Sequence, residues 1–457
     1  MNEYKRGYKI WIAAIYGFIA KPEKVFCLLG LSLGGIMIFL LPLFRAPDEM
    51  AHFARAYQVS QGQVFSQTVD GHTGGVVPLL EGYSFYNKLT SSTYKFFDFS
   101  SSAVYSPVNY IPQSVGIFIG NLLHPSVAVM VYMGRIFNLV AYIIMLYVAI
   151  KTATRGKWVY VVVGLLPMAV QQASSLSGDV MTIGPIFIFI ALAQRLFVQA
   201  TRITQKQTIG LIVLSLIIGL TKQTNVILLL SLLFLPKTIF ESVWHKYRIV
   251  LLTIGIGFLS LIGWYMITRM LHYNFDYATM AGVNRADQFS FIFHHPLAAI
   301  SALLRTLVIG GQSLSSPVDF ISISLVGYFS WFDYKLPLSL IVCSYLLLFV
   351  ALLYKETGKI KESKRLVWVY VIIFILSIGA IAEALYVSWT PVGYGHILGI
   401  QGRYFLAYIP LLIPLFAWLS RYIKVSFDKP HRMGMLVTGM SFINLTTMIL
   451  LTYNWFY

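Results

Sequence analysis

Long apolar runs recur through this chain, and they constrain its fold more than any other feature. A helix needs about 20 consecutive apolar residues to cross the hydrocarbon core of a bilayer. Runs of this kind lie near residues 25–44, 127–150, 158–175, 180–199, 208–220, 225–236, 249–268, 338–354, 367–388, 404–420 and 434–452. The pattern predicts an all-α polytopic membrane protein with about eleven transmembrane helices. Composition agrees: hydrophobic residues make up 58% and charged residues 11%, against about a quarter charged in a soluble domain. The first run starts late, is full length and lacks a small-residue cleavage site, so it reads as a retained span and not a signal peptide. Both cysteines, Cys27 and Cys343, fall in apolar runs, which argues against a disulfide framework or a CxxC motif.

Two runs are short, 208–220 and 225–236, and they flank the polar break Thr221-Lys222-Gln223-Thr224. A polar break in an apolar helix is the mark of a discontinuous helix pair lining a cavity. We count the two as separate short spans. The stretch Tyr110 to Leu123 is also short and holds Pro112, Gln113 and Asn121. It reads as a juxtamembrane or re-entrant helix on the outer side.

The net charge of +17 suggests nucleic acid until its distribution is considered. With the N-terminus in the cytoplasm, 23 of the 34 basic residues fall in segments 1–24, 151–157, 195–206, 237–248, 355–365 and 421–432. Ten of the seventeen acids fall on the other side. That asymmetry is the positive-inside rule. It predicts a multi-pass protein of the cytoplasmic membrane, N-terminus inside and C-terminus outside, and it accounts for most of the charge without a nucleic-acid partner. The cytoplasmic loops are short, so the chain reads as a single transmembrane domain over 1–457. Polar material gathers in a long first outer loop, about 45–109, and in outer segments 269–337 and 389–403. Chemistry is therefore expected on the outer face.

The first outer loop begins Arg45-Ala46-Pro47-Asp48-Glu49-Met50-Ala51-His52-Phe53-Ala54-Arg55-Ala56-Tyr57, where the first span surfaces. Ionisable groups near hydrocarbon are costly and mark function. Pro47 stops one helix and Asp48 can cap the next. Residues 49, 52 and 55 share a face at helical spacing, which groups Glu49, His52 and Arg55 with Asp48 at the helix mouth. One carboxylate in a partly dry site can take a proton from an acceptor hydroxyl. The acid pair can also hold a divalent cation through oxygen ligands, or Asp48 can be a cap and Glu49 a solvated charge. His52 suits a hydrogen bond to substrate.

Other candidates lie at the outer ends of later spans. Arg403 follows Gly402, and a guanidinium there suits bidentate contact with phosphate; the bland alternative is an interfacial anchor beside Tyr404. Lys222 sits alone in the polar break and calls for an anionic partner, a lipid phosphate or a local carboxylate. Arg135, one to two turns inside the second span, reads as a snorkelling side chain. Asp179 ends the turn Ser174-Ser175-Leu176-Ser177-Gly178-Asp179 and is either a tight-turn cap or a substrate contact. Outer aromatics, among them Tyr83, Phe85, Tyr86, Tyr94, Tyr105, Tyr110, Trp331, Trp389 and Tyr394, form interface belts, and some can stack on a sugar ring or cover an isoprenoid chain.

Three motifs in order, Pro47-Asp48-Glu49 with His52, Arg55, Ala56 and Tyr57, then Tyr105 to Gln113, then Gly399 to Phe405, resemble a bacterial family of multispanning proteins of unknown function. That family is grouped with the GT-C membrane glycosyltransferases, and the resemblance runs over nearly the whole chain. It implies a GT-C-like fold with juxtamembrane helices in the first outer loop. It also implies a polyprenyl-phosphate-linked sugar donor, and a glycan or lipid-linked glycan acceptor bound outside the cytoplasm. Asp48 stands at the position of the superfamily's catalytic acid, and Asp179 at the turn that often carries a second one. Arg403 is a donor-phosphate ligand by the same carry-over, and Gln401 and Tyr105 lie in the shared motifs as substrate contacts.

Two functional readings follow. The first is a membrane glycosyltransferase acting on a cell-envelope glycan, with Asp48, Glu49 and His52 catalytic and Arg55, Lys222, Arg403, Gln401, Asp179 and Tyr105 binding substrate. No resident cofactor is called for beyond the divalent cation the acids allow. The second is a transporter or flippase of a lipid-linked saccharide, which a broken helix and intramembrane charges also suit. Polar groups at the outer ends of spans, and no visible internal repeat, favour the first.

Overall fold

The computed structural model describes residues 17, 20–80, 92–199, 201–275, 281–307, 320–330, 332–354, 364–422 and 429–456. Glu81, Tyr83, Phe85, Tyr86, Asp276, Asp319, Trp331, and the basic residues of 1–16 and 355–363 with Lys424, lie outside that set.

Among the described residues seven helices are long and apolar enough to cross a membrane: Pro22–Leu40, Val127–Thr152, Val180–Val198, Val243–Met270, Lys364–Ser388, Gly402–Leu419 and His431–Phe456. Shorter apolar helices are Gln205–Thr221, Gln223–Phe234, Pro296–Arg305 and Leu338–Leu352. The chain is thus a mostly helical multispanning protein, and the seven long helices among the described residues do not by themselves give the expected count of eleven spans. The run expected to span 158–175 is two short helices, Lys157–Gly164 and Pro167–Ala173. Pro167 has no N–H to continue the ladder, and it pushes Leu166 to an extended ψ of 140°.

The first long helix starts with Pro22 in its opening turn, where a missing N–H costs nothing. It packs closely on Val127–Thr152 through Gly30 and Gly34, whose absent side chains leave room for Ile143 and Leu139. The expected break at Lys222 is present. Thr204 caps Gln205–Thr221 with a full capping box, and Lys222 is extended at φ −130°, ψ 140° before the tight 3-10 helix Gln223–Phe234. The Ile203 N–H donates to the Ile239 carbonyl at 2.8 Å, so both limbs begin and end at one side of the bundle with Lys222 at the apex.

The segment after the first long helix carries a helix, Glu49–Ser60. It also carries an unexpected antiparallel sheet of Gln67–Val69, His72–Leu80 and Ser92–Asp98, with Val76 opposite Phe96 and Pro78 opposite Tyr94. Its signal was in the sequence: Asp70-Gly71, both at positive φ, is a favoured two-residue hairpin turn. Residues Ile111–Leu123 form a helix of 13 residues packed on the start of Val127–Thr152. Two apolar clusters result. One fills the bundle. The other, including Phe53, Tyr57, Val77, Phe99, Tyr110 and Leu176, fastens the outer loop to it.

In segment 269–337 two short helices follow, Arg285–His294 and Pro296–Arg305. Their exposed Phe289, Phe293, Leu297, Ile300 and Leu304 suit a membrane interface. The pair holds the third outer segment: the Gly393 N–H donates to Gln288 Oε1 at 3.0 Å, and the Ile397 N–H to Thr306 Oγ1 at 2.8 Å.

Candidate active site

Asp48 precedes the helix Glu49–Ser60 but does not cap it with its side chain. Its backbone is left-handed at φ 60°, a conformation that disfavours residues other than glycine by about 1–2 kcal/mol. Only the Asp48 carbonyl joins the helix, accepting from the His52 N–H at 2.9 Å. The carboxylate is thereby turned away from the helix, 44% exposed, and Oδ2 accepts a long hydrogen bond from Arg403 Nη2 at 3.4 Å.

Glu49 goes elsewhere. Its side chain is fully buried and bidentate to Arg135, with Nε–Oε1 2.9 Å and Nη2–Oε2 2.7 Å. The Leu176 N–H donates to Oε1 at 3.2 Å. Arg135, also fully buried, donates besides to the carbonyls of Ile38, Leu41 and Pro42 at 3.0, 2.6 and 3.0 Å. The catalytic part expected of Glu49 does not fit this geometry, because both carboxylate oxygens are held by donors inside the protein, three hydrogen bonds in all, and the side chain is fully buried. Arg135 does not snorkel either; it is the partner that the buried acid requires. Arg55 is likewise not at the opening. It is buried, and donates to Gln58 Oε1 at 2.5 Å and to the Val64 carbonyl at 2.9 Å, stapling the chain that leaves the helix.

His52 does face the site. Its Nδ1 lies 3.1 Å from the Tyr110 hydroxyl, and the charges of Asp48, Asp179, Arg403 and Lys222 all act on the ring. Burial pushes the imidazole below its ordinary 6.5, and the two acids only partly restore it, so it is neutral at neutral pH.

The second acid, Asp179, ends a turn held by two buried amides. Asn138 Nδ2 donates to the carbonyls of Ser175 and Ser177 at 2.7 and 3.1 Å. Gln113 Nε2 donates to those of Leu176 and Ser177 at 3.3 and 3.0 Å. Asp179 makes no side-chain cap, which excludes that reading. Its Oδ1 meets Lys222 Nζ at 2.6 Å, so the partner that Lys222 called for is a carboxylate of the chain itself. Asn109 Nδ2 secures the break behind Lys222 by donating to the Thr221 carbonyl at 3.2 Å, and Lys222 Nζ stands 5.2 Å from the Tyr404 ring centre.

Burial alone raises the Asp179 carboxyl, but the Lys222 and Arg403 charges outweigh it and hold it at about 2. A carboxyl lowered from 3.8 to about 2 lends stability that is complete above 3.8 and is lost only as pH falls toward 2. Asp179→Asn is therefore expected to lower the melting temperature by a constant amount from about pH 5 to about pH 8. A penalty that changes across that window would contradict the pairing.

Arg403 enters from the other side of the opening. Gly402 is required before it: a Cβ there would collide with the Ile321 carbonyl and the Leu325 backbone, and the Gly402 N–H donates to Ser324 Oγ at 2.7 Å. The Arg403 side chain is 5% exposed, lies 5.4 Å from the Tyr404 ring centre and hydrogen-bonds Tyr404. Its Nε has no hydrogen-bond partner among the described residues, nor has Gln401 Oε1 nearby in the chain. Tyr105 packs against the outer-loop cluster.

The fold thus brings Asp48, His52, Asp179, Lys222 and Arg403 together, with Tyr110 and Tyr404 beside them, and sends Glu49 and Arg55 inward. Arg135, Asn138 and Gln113 were missed as supports. A charge and an amide inside an apolar run were the signal available. Among the described residues, no group of three or more His, Cys, Asp or Glu side chains could hold a metal ion.

A family model described as "Predicted membrane protein (DUF2142)" matches residues 83–412. Among solved structures, the chain is similar to the oligosaccharyltransferase AglB of the archaeon Archaeoglobus fulgidus in complex with an inhibitory peptide and a dolichol-phosphate. Identity is 9%, over 93% of this chain and 55% of that one, with a TM-score of 0.37. It is also similar to an oligosaccharyltransferase of that organism tethered to an acceptor peptide containing the NVT sequon by a disulfide, at 12% identity over 93% and 54% of the chains and a TM-score of 0.37. The apo form gives 10% identity over 93% and 55%, with a TM-score of 0.35. The chain spans about half the length of these structures. No curated protein sequence matches it.

Proposed function

The chain belongs to the DUF2142 family of predicted membrane proteins, and from that premise we propose that it is a membrane glycosyltransferase. In this reading it moves a sugar from a polyprenyl-phosphate carrier to a cell-envelope glycan on the outer face. The observation that carries it is a half-exposed Asp48 carboxylate lying against a buried Arg403 whose Nε has no hydrogen-bond partner among the described residues. A base and an anion-binding group stand side by side at one end of the bundle. Their separation of 3.4 Å leaves Arg403 without a tight carboxylate partner, so an arriving phosphate has N–H groups to take.

The step balances as follows. The acceptor hydroxyl gives its proton to an Asp48 oxygen while its oxygen bonds to the anomeric carbon. The bond from that carbon to the phosphate oxygen breaks, and the electron pair leaves with the lipid phosphate. Arg403 donates to the phosphate oxygens as their charge grows. Lys222 adds its field through the Asp179 pair. Neutral His52, oriented by Tyr110, presents its second nitrogen to a substrate hydroxyl. In-line displacement inverts the anomeric centre. The resemblance to GT-C enzymes supports the donor class and the role of Asp48.

The broken helix pair at Lys222 also suits a transporter of lipid-linked saccharides. The charged residues, however, collect at one end of the bundle and not at mid-span. A compositional comparison of surface glycans with and without the protein tests the assignment. A glycan that lacks one sugar supports transfer. A glycan that lacks the sugar while the lipid-linked saccharide accumulates on the inner leaflet overturns it in favour of transport, and an unchanged glycan overturns both readings.

The reading needs this end of the bundle outside the cytoplasm. With Cys27 and Cys343 replaced, single cysteines at the exposed Gln61 and Val392 should react with a membrane-impermeant thiol reagent in intact cells, and one at the exposed Thr201 should not. The reverse pattern would invert the topology and remove the donor class.

A further inference from the structure

We propose that the buried Glu49–Arg135 pair is the positioning device of this site, holding the Asp48 and Asp179 loops in register over the ends of three long helices. The kinetic consequence rests on the glycosyl-transfer reading; the positioning itself does not. Glu49 follows Asp48 directly, so fixing its carboxylate fixes the peptide that carries Asp48. Arg135 grips that carboxylate in two places. The same guanidinium takes the carbonyls of Ile38, Leu41 and Pro42, where the first long helix ends and the linker to Asp48 begins. One side chain therefore holds both ends of that linker. Glu49 Oε1 also accepts from the Leu176 N–H, in the turn that ends at Asp179. Both acids are thus tied to a single ion pair that touches neither of them.

The composition of the device argues for geometry over stability. Both side chains are fully buried, and desolvation offsets much of what a buried ion pair gains. Directional hydrogen bonds are what such a pair supplies and an apolar contact does not. The guanidinium fork fixes angles as well as distances, and the strained φ of 60° at Asp48 needs that constraint to persist.

The test replaces both partners by methionine, Glu49→Met with Arg135→Met, so that no charge is left orphaned. The double exchange leaves the Ile38, Leu41 and Pro42 carbonyls and the Leu176 N–H without these partners, so the melting temperature should fall, but by less than in either single variant, which also orphans a buried charge. Amide hydrogen exchange should quicken at least about tenfold in segments 41–49 and 175–179. With polyprenyl-phosphate sugar as donor, kcat should fall about 100-fold, the cost of roughly 1 Å of misplacement, while donor KM changes by less than about threefold. Parental exchange and parental kcat in that variant would overturn the proposal. If the double variant does not insert, Arg135→Lys decides: charge is kept and the fork lost, so kcat should still fall, and a parental kcat overturns the idea. If the parent transfers no sugar, the glycosyl-transfer reading fails, and hydrogen exchange alone still decides the positioning role.

Discussion

Asp48→Asn should lower sugar transfer by about 100- to 10,000-fold, the usual loss when a general base is removed, with the fold intact. The substitution keeps the shape of the side chain and its left-handed backbone, a region that asparagine tolerates better than most residues. It removes only the negative charge of a group that is 44% exposed and bound loosely to Arg403, so the melting temperature should hardly move. Glu49→Gln is the informative neighbour. It leaves Arg135 buried beside a neutral amide, and breaking one side of a buried pair typically costs about 3–5 kcal/mol. Its signature should be a lowered melting temperature, where that of Asp48→Asn is a lowered rate. Initial rates and thermal unfolding in nanodiscs separate the two. Near-parental transfer by a properly inserted Asp48→Asn protein would remove Asp48 from the chemistry.

Arg403→Ala should act on the donor alone. Truncating one side of a buried, charge-assisted pair typically costs about 2–5 kcal/mol, and only the donor carries the linking phosphate. The rate should therefore need far more donor to saturate, while the acceptor dependence stays nearly parental. Arg403→Lys keeps the charge but loses the planar fork, and it also loses guanidinium stacking on Tyr404; it should remain impaired. Rates measured against each substrate in turn give the answer. An unchanged donor dependence in folded Arg403→Ala protein would make Arg403 an anchor at the interface and leave the phosphate to Lys222. That lysine is already committed to Asp179 at 2.6 Å, which is why Arg403 ranks first.

Several features were legible because they depend only on neighbours along the chain. Apolar length marked the long helices, and Thr221-Lys222-Gln223-Thr224 marked the break, because polar groups cannot sit unsatisfied in hydrocarbon. Pro47 and the acids after it marked the start of the outer helix. The Asp70-Gly71 turn carried a hairpin signal too, but it is not among the features read from the sequence, and the strand pair Gln67–Val69 and His72–Leu80 is seen only in the structure. The limits of the same reasoning show at 158–175, where hydropathy sums over Pro167 without registering the interrupted ladder.

Which charges pair is a different kind of question. Helical spacing placed Glu49, His52 and Arg55 on one face, and all three do lie toward the protein. Two of the partners come from far along the chain, Arg135 for Glu49 and Tyr110 for His52, while Arg55 meets Gln58 and Val64 close by. Nothing local distinguishes an acid that meets a buried guanidinium from one that meets the opening. A left-handed φ at Asp48 turns adjacent carboxylates to opposite fates. The sequence by itself determined that this chain is a multispanning membrane protein, where most of its long helices run and that ionisable groups gather near the ends of those helices, since these follow from the local cost of moving residues into hydrocarbon. Only the tertiary structure decided that Asp48 stays half-exposed beside Arg403 while Glu49 is locked and that Lys222 is answered by Asp179, because pairing energies depend on distance and burial between segments far apart in the chain, more than a hundred residues for Glu49 and Leu176.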